Sequence, residues 1–373
     1  MRRGRAPLCL PSVPMAHYES SATTLGALQR GLGRGVFGDL SDALAVLRDD
    51  YRWDGVDERA VYLARLVRDF DLPVPSLTSS LQNLDVLSVL GRCGVLSAVD
   101  ALHDYVRSGP QWVEVLETVA VDWPLEMWDD LRPVALARLA PGARVWGKPW
   151  KHWGLAAPLV RPARRLLGDR TTEELLALLS DDAVRELNRR GPHPALLDLA
   201  GSLPPLPSLC RSLELLGALA VPLARTWAAQ PDHPLRGGAV DVLALHGDDS
   251  DLSAIFAEWD RLDHLPDFRC GYDTLAAGVA RIGARAAVPR LRKLWYSPHS
   301  YERAAYLRAL NALDPEVAGP FLAEGLWDCE SEVRLFAVEH ATVSQLGRLA
   351  FLRDDPMETA SVRAAAASRI SSV

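Results

Sequence analysis

Lysine is almost missing from this chain. Among 41 basic residues, Lys148, Lys151 and Lys293 are the lysines and the rest are arginine. Alanine, leucine, glycine, valine and aspartate are abundant beside them, a bias that reads as a GC-rich, bacterial coding sequence. Cysteine is sparse too. Cys9, Cys93, Cys210, Cys270 and Cys329 are odd in number, far apart, and form no C-x-x-C pair. That pattern speaks against a disulfide framework or a zinc ribbon and leaves reduced, buried thiols as the expectation. A basic excess is lacking: 48 acidic residues against 41 basic ones give a formal charge of −7. Proteins that grip nucleic acid depend on phosphate contacts and usually carry the opposite balance, so nucleic acid is not an expected partner. No stretch reaches the ~18 apolar residues of a membrane span. The first residues, MRRGRAPLCLPSVPM, are basic, but Pro7, Pro11 and Pro14 break their short apolar part, so no signal-peptide core forms. Residues 1–20 are expected to be a disordered tail on a cytoplasmic protein, with Met15 an alternative start.

The usual catalytic signatures are also missing. There is no P-loop, no G-x-S-x-G and no H-E-x-x-H. The aspartate pairs 129–130, 181–182, 248–249 and 354–355 fall near helix ends or turns, where aspartate caps and solvates. No catalytic residue, cofactor or metal ligand is assigned.

What the chain does have is repetition. From residue 213 onward, an apolar run ending in tryptophan is followed by a short polar break and then an arginine that opens a second apolar run. The tryptophans are Trp227, Trp259, Trp295 and Trp327. The arginines are Arg236, Arg269, Arg303, Arg334 and Arg363, spaced by 33, 34, 31 and 29 residues. A period of this length means stacked helix pairs that share one core. The tryptophans are expected to fill the space between layers. The arginines open helices, where the dipole disfavours a cation, so each needs compensation. The expected partner is an acidic residue in the turn just before each: Asp232, Asp267, Asp328, or Asp354 with Asp355. Arg303 has no such aspartate and is left with Glu302.

The phrase D-x(n)-V-R-x-x-A-x-x-x-L is carried best by Asp328, Val333, Arg334 and Ala337. It recurs in Val362, Arg363 and Ala366, and in Arg303 with Ala305 and Leu310. It resembles the HEAT-type helical repeats, in particular the short bacterial PBS-lyase type, over 213–373. The resemblance implies an all-α fold, a right-handed alpha-alpha superhelix (HEAT-like solenoid) of stacked antiparallel helix pairs, in which the arginine and tryptophan ladder is structural. Residues 21–140 read as a diverged helical region, 141–165 as an irregular Trp-rich insertion or joint, and 166–212 as a helical connector. HEAT-like oxygenases bind iron through His-Glu dipeptides, and this chain has none. HEAT-like DNA glycosylases pair tryptophan with aspartate, for which the stretch from Trp123 to Asp130 is the nearest counterpart.

One aromatic and basic knot interrupts the pattern: Trp146, Lys148, Trp150, Lys151, His152 and Trp153. Tryptophan beside lysine can stack on a planar ligand while meeting an anion. The same tryptophans can equally plug a joint between arrays. The functional expectation is a non-catalytic scaffold that binds a protein partner on a concave face lined by second helices. The alternatives are an enzyme or nucleic-acid-processing protein on the same repeats, or an accessory factor handling a prosthetic group.

Overall fold

A computed structural model describes residues 17–51, 57–73, 81–157, 167–200, 206–265 and 270–372. Most of the expected tail lies outside the described residues, as do Arg269, Asp267, residues 158–165 and the prolines at 204 and 205. Regular structure is entirely helical, with no strand among the described residues. The first helices are α1 (Thr24–Gln29), α2 (Leu40–Val46), α3 (Arg59–Asp69), α4 (Leu81–Arg92), α5 (Leu96–Ser108), α6 (Trp112–Asp122), α7 (Arg132–Arg138) and α8 (Lys148–His152). Then come α9 (Thr172–Leu178), α10 (Asp181–Arg190), α11 (Ala195–Ala200), α12 (Ser208–Leu216), α13 (Val221–Ala228), α14 (Arg236–His246), α15 (Leu252–Asp263), α16 (Tyr272–Ile282) and α17 (Val288–Leu294). The last are α18 (Arg303–Leu313), α19 (Pro315–Gly325), α20 (Ser331–His340), α21 (Leu346–Asp354) and α22 (Ala360–Ser372).

Local chemistry sets many of the ends. The Asp39 carboxylate caps α2 by accepting from the Asp42 N–H, and Thr171 with Glu174 closes a capping box on α9. A proline stands in the first turn of α7, α13 and α17, where its missing N–H costs nothing. Pro124, placed where a first turn tolerates it, and the stop at Pro141-Gly142 predict a single helix over Leu125–Leu139, but that stretch is not one continuous helix. Two 3-10 turns, Leu125–Met127 and Asp129–Leu131, precede α7. Between them Trp128 leaves helical geometry at φ −145° and buries its ring completely.

The chain divides into two compact units that do not follow chain order. The first holds residues 1–159, 296–304 and 320–373, and the second holds 160–295 and 305–319. Within the second, α10 packs on α12, α12 on α14 and α14 on α16, so alternate helices stack while α13 packs on α14 beside it. Small residues permit the close approach: a Cβ at Gly278 of α16 would lie 2.6 Å from the Ala244 Cβ of α14. Trp227, Trp259 and Trp295 are buried. Arg236 (α14) donates to the Ala228 carbonyl of its own turn, and its Nη1 reaches the Glu258 Oε2 at 2.5 Å in α15.

In the first unit α20 packs on α22, and α21 on α22. The arginine at each helix start again reaches forward. Arg303 Nε and Nη2 each lie 2.9 Å from the two oxygens of Asp328, and both side chains are fully buried. Arg334 makes the same two-pronged contact with Glu358 at 2.7 and 2.8 Å, while its Nη1 donates to the Asp328 and Cys329 carbonyls. Arg303 therefore does not lack an acidic partner, and the carboxylate comes from the next repeat rather than the preceding turn. Arg363 departs from this pattern. It is exposed and has no side-chain partner among the described residues.

The same unit joins early and late parts of the chain through a buried polar seam. Arg59 (α3) pairs with Asp57 and donates to the Gln29, Tyr51 and Pro298 carbonyls. Arg65 donates to Asp355 at 2.7 Å and Glu358 at 3.0 Å, and Arg68 donates to Asp355 at 2.6 Å. Glu58 accepts from the backbone and hydroxyl of Ser331, and Gly31 accepts from the Cys329 N–H. Glu330 receives the Ser300 hydroxyl at 2.5 Å and the Glu58 N–H at 3.2 Å. Burial first, and then the neighbouring Asp57 and Glu58, push the Glu330 carboxyl up to about 8, with Arg303 opposing them. Its folded pKa lies above its unfolded one, so the folded unit holds a proton that the unfolded chain releases as pH rises through the window between them. Stability should therefore fall from about pH 5 to pH 8. Glu330→Gln keeps the acceptor oxygen and removes that slope. It should melt no differently from the parent at pH 5 and higher at pH 9, by more than the roughly 2–4 °C that 1 kcal/mol produces in a domain of this size. Parallel melting curves of the two proteins across that range would contradict the assignment.

Candidate functional site

The knot residues lie in a closed loop of the first unit. The Ala157 N–H donates to the Val145 carbonyl at 2.9 Å, and the Leu155 and Ala156 N–H groups donate to the Trp150 carbonyl. Gly147 caps α8, whose first turn carries Pro149. A Cβ at Gly147 would lie 2.6 Å from the Glu117 carboxyl carbon, so the loop packs directly against α6.

The loop divides its side chains. Trp150 is fully buried and Trp153 is 8% exposed. The Trp150 ring meets Trp112 and Trp153 edge-on, with centroids 6.0 and 5.6 Å apart, and Trp153 meets Trp128 at 5.7 Å. Each indole N–H of the pair has a carboxylate acceptor: Trp150 donates to Glu117 at 2.7 Å and Trp153 to Asp129 at 2.8 Å. These two tryptophans are core. Such edge-to-face contacts add to the burial energy, and the carboxylates remove the cost of burying the N–H donors.

Trp146, Lys148, Lys151 and His152 face outward, and Trp146 is 46% exposed. Lys148, Lys151 and His152 line an open depression of about 630 Å³ together with Leu125 and Trp128. The Lys148 ammonium stands 5.7 Å from the centre of the Trp128 ring, within cation–π range. His152 Nε2 is 3.3 Å from the Asp129 carboxylate, which holds the imidazole at the rim. Neither lysine forms an ion pair among the described residues. The Trp128 indole N–H is buried and has no acceptor among them.

No protein-family model, curated protein or solved structure matches this chain. The site therefore rests on its own chemistry. Reading the sequence for a site brought out the six knot residues but missed Trp112, Glu117, Leu125 and Asp129 as their partners. Trp128 and Asp129 stood out there only as part of a glycosylase-like phrase. In the structure Asp129 accepts from Trp153 and positions His152, so its carboxylate orients the loop. Trp327, which the repeat pattern places between layers, is half-buried, meets Phe37 edge-on with centroids 5.0 Å apart and lies under the Arg348 guanidinium at 3.5 Å.

Proposed function

We propose that this chain is a non-catalytic helical-repeat scaffold that binds a protein partner, with the depression beside α8 as a docking point. The observation that carries the reading is the split within the knot. Its indoles Trp150 and Trp153 are spent on internal packing, while Lys148, Lys151, His152, Leu125 and Trp146 offer charge and apolar surface outward. The stacking of alternate helices within the second unit supports a HEAT-like arrangement of its repeats. The buried arginines of the ladder hold the repeats together and are not available to a ligand.

The test is affinity capture from the source cells with the parent protein and with Lys148→Glu/Lys151→Glu, each with and without nuclease. Both lysines are exposed, so the variant should melt within about 1 °C of the parent, as surface substitutions do. A specific protein should be retained through nuclease treatment and weakened at least about tenfold by the charge reversal, a loss of ~1.4 kcal/mol. Capture that disappears with nuclease would replace the scaffold reading with a nucleic-acid one.

A further inference from the structure

We propose that the polar seam of the first unit carries a proton-operated latch: it stays closed beside Glu330 while that carboxyl is protonated, and opens at that end alone once the proton leaves. The latch is independent of the docking point proposed above. Its late side is Asp328, Cys329 and Glu330, and its early side is Gly31 with Asp57, Glu58 and Arg59. The two sides converge on a small volume. The Asp57 and Glu330 carboxyls and the Cys329 sulfur lie within 4.8 Å of one another, and all three residues are buried. Glu330 Oε1 accepts from the Glu58 N–H and the Ser300 hydroxyl, and the Cys329 sulfur lies 3.6 Å from it. Glu58 accepts from Ser331 in return, and the Cys329 N–H donates to Gly31. Each guanidinium near this point already holds another carboxylate: Arg59 holds Asp57, Arg303 holds Asp328 and Arg334 holds Glu358. The phenols on the early side, Tyr18 and Tyr62, donate to the Tyr51 and Leu32 carbonyls. The turn that supplies Ser300 also carries His299 and Glu302, 3.5 Å from each other. An ionised Glu330 is therefore one more buried anion beside Asp57, Glu58 and Asp328.

The other end of the seam responds in the opposite sense. Arg65 and Arg68 follow Glu58 along α3 by about 10 and 15 Å of helix, and with Arg334 they close on Asp355 and Glu358. Burial pushes these two carboxyls up and the arginines outweigh it, so both lie below the usual carboxylate range. Their ion pairs are complete at neutral pH and stay complete as pH rises. Rising pH thus acts on the Glu330 end alone. There the closed seam holds a proton, at a carboxyl that burial and then Asp57 and Glu58 push up to about 8. The open seam lets water reach the carboxylate and releases that proton. Opening is therefore favoured about tenfold more for each pH unit until the closed carboxyl itself ionises, and it levels off above that point.

Cys329 is a built-in probe, because its thiol is fully buried at the latch. The full chain carries Cys9→Ser, Cys93→Ser, Cys210→Ser and Cys270→Ser, so that Cys329 alone reacts with excess methyl methanethiosulfonate. Its labelling rate is divided by that of a short unstructured peptide containing the same cysteine at the same pH, which removes the titration of the thiol itself. Protection should fall about tenfold per pH unit from pH 6 to about pH 8 and level off by pH 9. Glu330→Gln keeps the acceptor oxygen and should give a flat profile. The opening is local, so labelling should barely respond to urea well below the unfolding transition. A second background, with Cys329→Ser and Met357→Cys, places a buried thiol at the arginine end. That thiol should be at least about tenfold better protected at pH 8. A flat profile in the parent, the same slope in Glu330→Gln, equal protection of the two probes, or labelling that follows urea with the full unfolding slope would overturn the latch. If Glu330→Gln does not fold, the parent's pH profile and urea slope decide alone.

Discussion

Arg334→Ala should destabilise the first unit by about 3–5 kcal/mol, the range for removing one partner of a buried ion pair. Its guanidinium is 1% exposed and holds four acceptor atoms: both oxygens of Glu358 and the carbonyls of Asp328 and Cys329. Alanine leaves the two carbonyls without this donor and Glu358 with Arg65 as its one remaining arginine among the described residues, beside the Thr359 N–H. Burial pushes the Glu358 carboxyl up, and Arg334 with Arg65 outweighs it, so the group lies below the usual carboxylate range. A folded pKa below the unfolded one contributes stability above the unfolded pKa and loses it as pH falls through the folded value. The variant should therefore also lose much of this acid-dependent component. Lysine at 334 cannot reproduce the fork and should recover little of the loss. Arg363→Ala is the matched control. Arg363 occupies the same place in the repeat but is exposed, and its removal should cost less than about 0.5 kcal/mol. Thermal and denaturant unfolding of the three variants checks this, and equal losses at 334 and 363 would contradict the forward-pairing scheme.

Trp150→Ala should cost about as much, ~3–5 kcal/mol for a fully buried large side chain. The ring lies in edge contact with two other indoles, and its N–H satisfies Glu117. Near-ultraviolet circular dichroism should lose the coupled signal of that cluster along with the stability. Trp150→Phe keeps part of the volume and deletes the donor, and should cost roughly 1–3 kcal/mol, the penalty for an unmade buried hydrogen bond. Trp146→Ala should cost under about 1 kcal/mol, because that ring is half in solvent. A full-sized loss at Trp146, or none at Trp150, would mean that the loop packs the other way round.

Much of the fold is legible in the sequence because helices are local. Caps at Asp39 and Thr171, prolines in first turns and apolar spacing act within a few residues, and they place most helices. The tryptophan and arginine period marks repetition for the same reason. The direction of each arginine is not legible. Arg334 has Asp328 six residues before it and Glu358 twenty-four after it, and only packing decides that the side chain reaches Glu358 while the Asp328 backbone takes its other arm. The seam between α3 and the late helices carries no local signal. Arg65 and Arg68 on a helix read as a solvated face until Asp355 and Glu358 are brought against them. At the candidate site, composition marks the right loop. It cannot separate Trp150 and Trp153, which turn inward to Glu117 and Asp129, from Trp146, which does not.

The seam has a consequence in time. Arg65 and Asp355 are 290 residues apart in the chain. At the ~5–20 residues per second of translation, α3 emerges roughly fifteen seconds to a minute before its carboxylates exist. Through that interval Tyr62, Leu63 and Leu66, all buried in the finished unit, have no late helices to cover the arginines beside them. Closing so long a loop is slow. The earliest helices should therefore be among the last to become protected, and pulse-labelled nascent chains should resist protease at α3 only once α22 has been made.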